Sequence, residues 1–241
     1  MGASFSIVLV PGLLCDAAVW RAQHAALAPL APVAIADHGL CDTLPAMARQ
    51  ALALCAGPIA VAGHSMGGRV ALEMLRLAPD RIVGLALLDT GLHALAAGEA
   101  GERERAGRLR LLAQARSAGM RAMARTWAQD MVHPDRLGDA PLLDSILDMF
   151  ARKTPAHFAA QIEALLRRPD AAGLLADLDG AGLALCGRED RWSAVPAHED
   201  MAKRMRAGEL VVIEHCGHMS TLEQPQAVTQ ALLRWVQRVA G

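Results

Sequence analysis

The stretch Ile59-Ala60-Val61-Ala62-Gly63-His64-Ser65-Met66-Gly67-Gly68-Arg69 admits few folds. A short apolar run stops at Gly63, and a helical pattern starts within a few residues. The chain must therefore turn sharply from strand into helix. Glycines flank the serine as Gly-x-Ser-x-Gly, at the place where strand and helix crowd together and a Cβ would clash. Such a turn lifts Ser65 Oγ clear of the backbone. The first helical turn then aims unpaired N–H groups and a partial positive charge at whatever meets that oxygen. A Gly-rich helix entry with an ordinary surface serine has the same local sequence, so the rest of the chain must decide between the two.

Apolar runs with strand character recur on both sides of this turn. Ser4–Val10 ends at Pro11-Gly12, Pro32–Ala36 ends at Asp37-His38-Gly39, and Ile82–Leu88 is apolar throughout, as a strand covered on both faces should be. Helical spacing follows each run: Asp16–Leu27 with Asp16 as N-cap, Thr43 to about Leu54 with Pro45 in the first turn, and about Gly67–Leu77, closed by Ala78-Pro79. From about Gly91 to Asp179 the alternation stops. That segment shows helices only, near 98–118, 121–130, 142–151 and 156–166, with Pro134, Pro141, Pro155 and Pro169 at their limits. It is too long for a loop. The alternation then resumes with strands at 183–187 and 209–213 and helices at 196–206 and 225–239. This pattern predicts an α/β fold: a six-stranded, mostly parallel sheet with helices on both faces and an inserted helical cap. The core comprises residues 1–90 and 180–241, and the cap residues 91–179.

Composition fits one large core. The chain has 241 residues, of which 53% are hydrophobic, and its aromatic content is only 3% with no tyrosine, so Ala, Leu, Val and Met must fill the interior. A net charge of −1 argues against nucleic-acid and anionic-membrane partners. No run approaches the ~18 apolar residues of a membrane helix. Cys15, Cys41, Cys55, Cys186 and Cys216 are odd in number and widely spaced. They read as reduced thiols, and with no signal-peptide pattern at the N-terminus a cytoplasmic protein is expected.

A serine hydroxyl is a weak nucleophile unless a base lies within hydrogen-bond reach and an acid orients that base. In parallel sheets such groups gather beyond the carboxyl ends of the strands. His218, in Cys216-Gly217-His218-Met219, follows the strand at 209–213. Asp190, in Gly187-Arg188-Glu189-Asp190, follows the strand at 183–187. Asp89, after Ile82–Leu88, is the alternative acid, and His215, His64 and His93 are rival histidines; His64 is expected to point away and support the turn. Glu189 reads as solvated. Two backbone donors would stabilise an oxyanion: the N–H of Met66, next to the serine, and that of Leu13, in the turn after the first strand.

On Val10-Pro11-Gly12-Leu13-Leu14 with Trp20, Gly63-His64-Ser65-Met66-Gly67-Gly68, Leu87-Leu88-Asp89-Thr90, Gly187–Asp190 and Cys216–Met219, the chain resembles the α/β-hydrolase superfamily along nearly its whole length. It looks most like the compact bacterial carboxylesterase group that includes pimeloyl-carrier-protein methyl esterases and related C–C hydrolases and lyases. The resemblance implies Ser65 as nucleophile, His218 as base, Asp190 as acid and Leu13 and Met66 as oxyanion donors. Such a triad needs no metal or organic cofactor, and the sequence shows no metal-ligand spacing such as H-x-x-x-H. Two departures stand out. Pro11-Gly12 replaces the family's usual His-Gly, and the family's first two antiparallel strands are missing.

The expected activity is hydrolysis of a small-molecule carboxylic ester through an acyl-enzyme. C–C bond hydrolysis, a lyase step or perhydrolysis could use the same triad, and a non-catalytic ligand-binding protein could use the same scaffold. The expected substrate pocket takes Leu14 and Met219 from the core edge, His93 from the start of the insert, and Trp127, Met131, Met149, Phe150 and Phe158 from the cap, although these last five would serve equally as the cap's own core. Arginines at 103, 105, 108 and 110 read first as a solvated helix face and second as a dock for an acyl carrier protein or another anion.

Overall fold

The computed structural model describes residues 5–241; Ser4, at the head of the first expected strand, lies outside them. The strands are β1 (Ser6–Val10), β2 (Val33–Ile35), β3 (Ile59–His64), β4 (Ile82–Leu88), β5 (Ala181–Gly187) and β6 (Gly208–Ile213). They form one sheet in the order β2-β1-β3-β4-β5-β6. Every neighbouring pair is parallel. The expected architecture is therefore present, with six strands and with no antiparallel pair among the described residues. All residues of β3 and β5 are buried, which explains their unbroken apolar sequences, whereas β2 and β6 at the edges are largely half-buried.

The core helices are α1 (Arg21–Leu27), α2 (Leu44–Leu52), α3 (Met66–Leu77), α8 (Val195–Arg204), α9 (Ser220–Glu223) and α10 (Pro225–Ala240). Between β4 and β5 the chain inserts α4 (Glu99–Ala118), α5 (Met120–Trp127), α6 (Ala140–Ala151) and α7 (Pro155–Leu166). The caps follow the sequence signals. Asp16 accepts the Ala18 N–H at 2.9 Å, heading a 3₁₀ turn that precedes α1 rather than one continuous helix. Thr43 accepts from Ala46 at 3.3 Å with Pro45 in the first turn of α2. The Met219–Gln224 stretch contains a short helix that periodicity does not show, because four residues are barely one turn.

Several bonds pin the insert to the core. Gln161 Oε1 on α7 accepts the buried Leu14 N–H at 2.8 Å. Arg152 Nε–H and Nη2–H donate to the two Asp16 oxygens at 2.7 and 3.0 Å, a two-point pairing between insert and core. The Met131 carbonyl accepts the N–H groups of His218 and Met219 at 2.7 and 3.2 Å. No helix among the described residues is long and apolar enough to cross a membrane.

The strand order reverses between β2-β1 and β1-β3, so a crevice opens at the carboxyl ends of β1 and β3, where loops leave in opposite directions. Gly12-Leu13 leaves β1 there, and Ser65 leaves β3.

Candidate active site

The turn after β3 has the strain its sequence implies. Ser65 sits at φ 55° and ψ −120°, a left-handed conformation that is costly for a residue with a Cβ. The surroundings impose it. Ser65 N–H donates to the Leu88 carbonyl at 2.8 Å, and Thr90 Oγ1–H donates to the Ser65 carbonyl at 2.7 Å. Glycine is required on both sides, since a Cβ on Gly63 would strike the Gly67 backbone and one on Gly67 would strike the Val10 carbonyl.

Three side chains meet above this turn. Ser65 Oγ lies 2.8 Å from His218 Nε2, and His218 Nδ1 lies 2.8 Å from Asp190 Oδ2. The other Asp190 oxygen accepts the N–H groups of Trp192 and Ser193 at 2.8 and 3.0 Å, which fixes the carboxylate plane. With Nδ1–H donating to Asp190, Nε2 is free to accept the Ser65 hydroxyl proton. The electrostatics agree with the geometry. Burial pushes the Asp190 carboxyl up, but the His218 charge, its hydrogen bond and the two amides outweigh that and bring it to about 2. Burial lowers His218, yet Asp190, with smaller contributions from Asp89 and Glu223, leaves it raised above its usual 6.5.

Asp89 does not reach the imidazole of His218. It is fully buried, its Oδ1 accepts the Gly187 N–H at 3.1 Å, and its Oδ2 accepts the Ser220 hydroxyl. Burial first, and the Asp190 charge second, push its carboxyl well above the usual range. His64 is not turned away from the site: it lines the cavity, and its Nε2–H donates to the His218 carbonyl at 2.8 Å. Burial, then the His218 charge, depress His64 to about 4. His215 is exposed and packs near His133 instead. Glu189 is not simply solvated, because its carboxylate accepts the Cys216 N–H at 2.9 Å. All five cysteines are free thiols.

Leu13 and Met66 both border the cavity beside Ser65, and among the described residues neither backbone N–H donates to another group. Where the resemblance leads one to expect histidine, the Pro11 carbonyl accepts the Nε2–H of buried His38 at 2.9 Å.

The cavity over Ser65 holds about 770 Å³, within the usual range for a small-molecule site. Of the expected lining residues, Trp127, Met131, Phe150 and Met219 border it. Leu14, His93, Met149 and Phe158 do not. Leu14 is buried at φ 61° with its amide held by Gln161, Met149 is fully buried in the core of the insert, and Phe158 packs behind Trp127 with ring centroids 5.7 Å apart. His93 faces solvent, where its Nδ1 pairs with Asp170 at 3.0 Å. Sequence reasoning missed Trp192, whose ring stands 4.7 Å from the His218 ring, edge to face, and stacks on Trp127 at 5.6 Å. Its signal was its place two residues after Asp190. Also missed was Glu223, which accepts the Gly217 and Met219 N–H groups on one oxygen, at 3.0 and 3.2 Å, and the His133 N–H on the other, at 2.7 Å. It ties the His218 loop to the insert.

A strained serine turn at a sheet switch point, with an aspartate-held imidazole against it, is the arrangement that the α/β-hydrolase class of fold presents. The sequence profile of the Alpha/beta hydrolase family matches residues 7–231, and the chain belongs to that family. Among solved structures, a thermophilic esterase from Thermogutta terrifontis, in its malate-bound form, is similar over 100% of this chain and 92% of its own, at 28% identity and a TM-score of 0.87. An enol-lactonase from Burkholderia xenovorans LB400 is similar over 98% and 92%, at 21% identity and a TM-score of 0.83. A bromoperoxidase from Bacillus anthracis is similar over 98% and 93%, at 17% identity and a TM-score of 0.81. None of the curated proteins matches the sequence.

Proposed function

We propose that this protein is a serine hydrolase that cleaves a small-molecule carboxylic ester through an acyl-enzyme. The observation that carries the reading is the unbroken relay from Ser65 Oγ through both His218 nitrogens to Asp190, with 2.8 Å at each junction. In this reading Ser65 Oγ attacks the ester carbonyl while His218 Nε2 takes the hydroxyl proton. The carbonyl oxygen becomes an oxyanion held by the N–H groups of Leu13 and Met66. Collapse of the tetrahedral intermediate breaks the C–O bond, and His218 returns the proton to the departing alcohol. Water, deprotonated by the same imidazole, then attacks the acyl-serine; the acid leaves and Ser65 regains its proton. Asp190 holds the imidazole in the correct tautomer and stabilises its cationic form.

The similarity to an esterase at 28% identity supports an ester over other bonds. The segment between β4 and β5 acts as the cap: it supplies Trp127, Met131 and Phe150 to the cavity over Ser65 and excludes water from the reacting carbonyl.

Labelling with a fluorophosphonate, read by mass spectrometry, tests the mechanism. The wild type takes up the label on Ser65, and Ser65→Ala takes up none and loses p-nitrophenyl acetate turnover. Unlabelled Ser65 in folded wild-type protein would instead mark a ligand-binding protein on this scaffold, and retained turnover in Ser65→Ala would overturn the assignment of the nucleophile.

A further inference from the structure

One wall of the cavity is unlike the rest. The aromatic rings stand near His218, but Arg69, Arg108, Arg110 and Arg168 also line the cavity. The carboxylates on the lining are Glu104, Asp89 and Asp130. Asp89 is engaged by Ser220 and Gly187, and Asp130 lies 3.5 Å from Arg191. Of these three, Glu104 is the one bonded to arginines of the lining. Arg168 donates to both of its oxygens at 2.7 and 2.8 Å, and Arg108 donates to one at 3.0 and 2.8 Å.

Glu104 is therefore shared by two guanidinium groups, and Arg69 is a third positive charge beside them. Arg69 Nη1–H donates to the His93 carbonyl at 2.7 Å; the same carbonyl accepts from Arg168 Nε–H at 3.2 Å. Among the described residues Arg69 makes no other side-chain hydrogen bond and no ion pair with a carboxylate. Burial, then the Arg168 charge, bring its guanidinium down to about 10, although the Glu104 and Asp170 charges act the other way. Space has been left for it. A Cβ on Gly91 would stand only 3.0 Å from Arg69 Nη2. A smaller cavity of about 180 Å³ shares Arg69, Gly91, Glu104 and Arg168 with the main one, so the cationic wall lies where the two cavities meet.

We propose that this wall receives a carboxylate of the substrate, with Arg69 as its principal partner. On the reading of Ser65 as nucleophile, the substrate is then an ester that carries a free carboxylate elsewhere in the molecule. A carboxylate suits the site because the planar guanidinium fork pairs with it at two points, and an anion relieves the repulsion between neighbouring arginines. The separation also suits it. Arg69 is four residues beyond Ser65 on α3, a rise of about 6 Å along the helix axis. The carboxylate and the reacting carbonyl would be separated by a few methylene groups.

The test compares p-nitrophenyl hydrogen glutarate with its neutral partner, p-nitrophenyl methyl glutarate, by release of p-nitrophenolate. Wild-type kcat/KM should favour the anionic ester at least tenfold, and the preference should shrink as salt is added. Arg69→Gln should lose the preference while keeping turnover of the neutral ester, and Arg69→Lys should keep part of it. Glu104→Gln, which removes the competing carboxylate, should strengthen it; this variant decides the matter if Arg69→Gln does not fold. Equal rates on the two esters in the wild type, or a preference unchanged in a folded Arg69→Gln, overturn the proposal. Calorimetry with monomethyl glutarate on Ser65→Ala separates this outcome from failure of the hydrolase reading. Binding that disappears in Ser65→Ala/Arg69→Gln upholds the carboxylate site even if neither ester is turned over, and no binding to Ser65→Ala overturns it.

Discussion

The Nε2–H of His64 donates to the main-chain carbonyl of His218 at 2.8 Å, so the residue before the proposed nucleophile holds the backbone of the proposed base. The two imidazoles stand 5.4 Å apart, and the chain between them spans most of the sequence. Burial keeps His64 neutral, so this bond does not compete for the proton that passes between Ser65 and His218.

Replacing His64 with alanine should remove that brace and leave a buried carbonyl unpaired, a loss of about 1–3 kcal/mol in stability. We expect kcat for p-nitrophenyl acetate to fall about tenfold with KM little changed, because the base is displaced rather than the pocket. Urea unfolding and steady-state kinetics on one preparation check both effects; a changed KM with an unchanged kcat would place His64 in substrate binding instead.

The two aspartates behind strand ends should behave differently. Asp190→Asn reverses the donor demand at His218 Nδ1 and favours the wrong tautomer, so kcat should fall by about 10³–10⁴. Burial and the Asp190 charge favour the neutral acid form of Asp89, which asparagine resembles, so Asp89→Asn should lower kcat less than about tenfold. The reverse ranking would move the orienting acid to Asp89.

The pH profile follows from the same charges. His218 must be neutral to accept a proton, and its pKa is raised, so kcat/KM should climb with pH along a limb centred above 6.5. In Asp190→Asn that limb should move down, measured on the residual activity. Stability carries the opposite sign for the two partners. The raised pKa of His218 contributes stability that is fully present below 6.5 and is lost as pH rises through its folded value. Asp190, lowered from 3.8 to about 2, contributes stability that is present above 3.8 and is lost as pH falls toward 2. Urea midpoints across pH 2–9 should show the acid loss shrink in Asp190→Asn.

Gly67→Ala tests the elbow by packing alone. The added Cβ would meet the Val10 carbonyl, and neither backbone can yield without moving β1 away from α3. A destabilisation of about 3 kcal/mol is expected, at the upper end for overpacking, together with loss of fluorophosphonate labelling. A wild-type urea midpoint with labelling intact would show that the turn tolerates a side chain.

Much of the site was legible because it is built from backbone demands. Only glycine fits at positions 63 and 67, only a short apolar run can be a doubly covered strand, and loops beyond strand ends are where side chains converge. Those demands place Ser65, His218 and two aspartates at one rim, and they leave Leu13 and Met66 as the amides beside the serine. Asp89 and Asp190 obey the same local rule, and the sequence favours Asp190 only through the place of its loop, beside the one that carries His218. The ranking comes from the Asp190 loop, where the amides of Trp192 and Ser193 turn the carboxylate toward His218, while Ser220 and Gly187 take up Asp89.

The cavity lining was beyond the sequence for a different reason. Phe150 and Phe158 are both nearly fully buried apolar side chains on helices of the insert, yet Phe150 borders the cavity and Phe158 stands behind Trp127. The hydrophobic effect is non-directional and rewards either burial, so composition and period cannot say which face of a helix looks onto empty space. Local sequence thus determined the strands, the strained turn and the residues at the rim, since short-range sterics and periodicity act there. Tertiary packing alone decided how Asp190 rather than Asp89 is turned onto His218, which rings line the cavity and that Arg69 pairs with no carboxylate among the described residues, because each depends on groups far apart in the chain meeting in space.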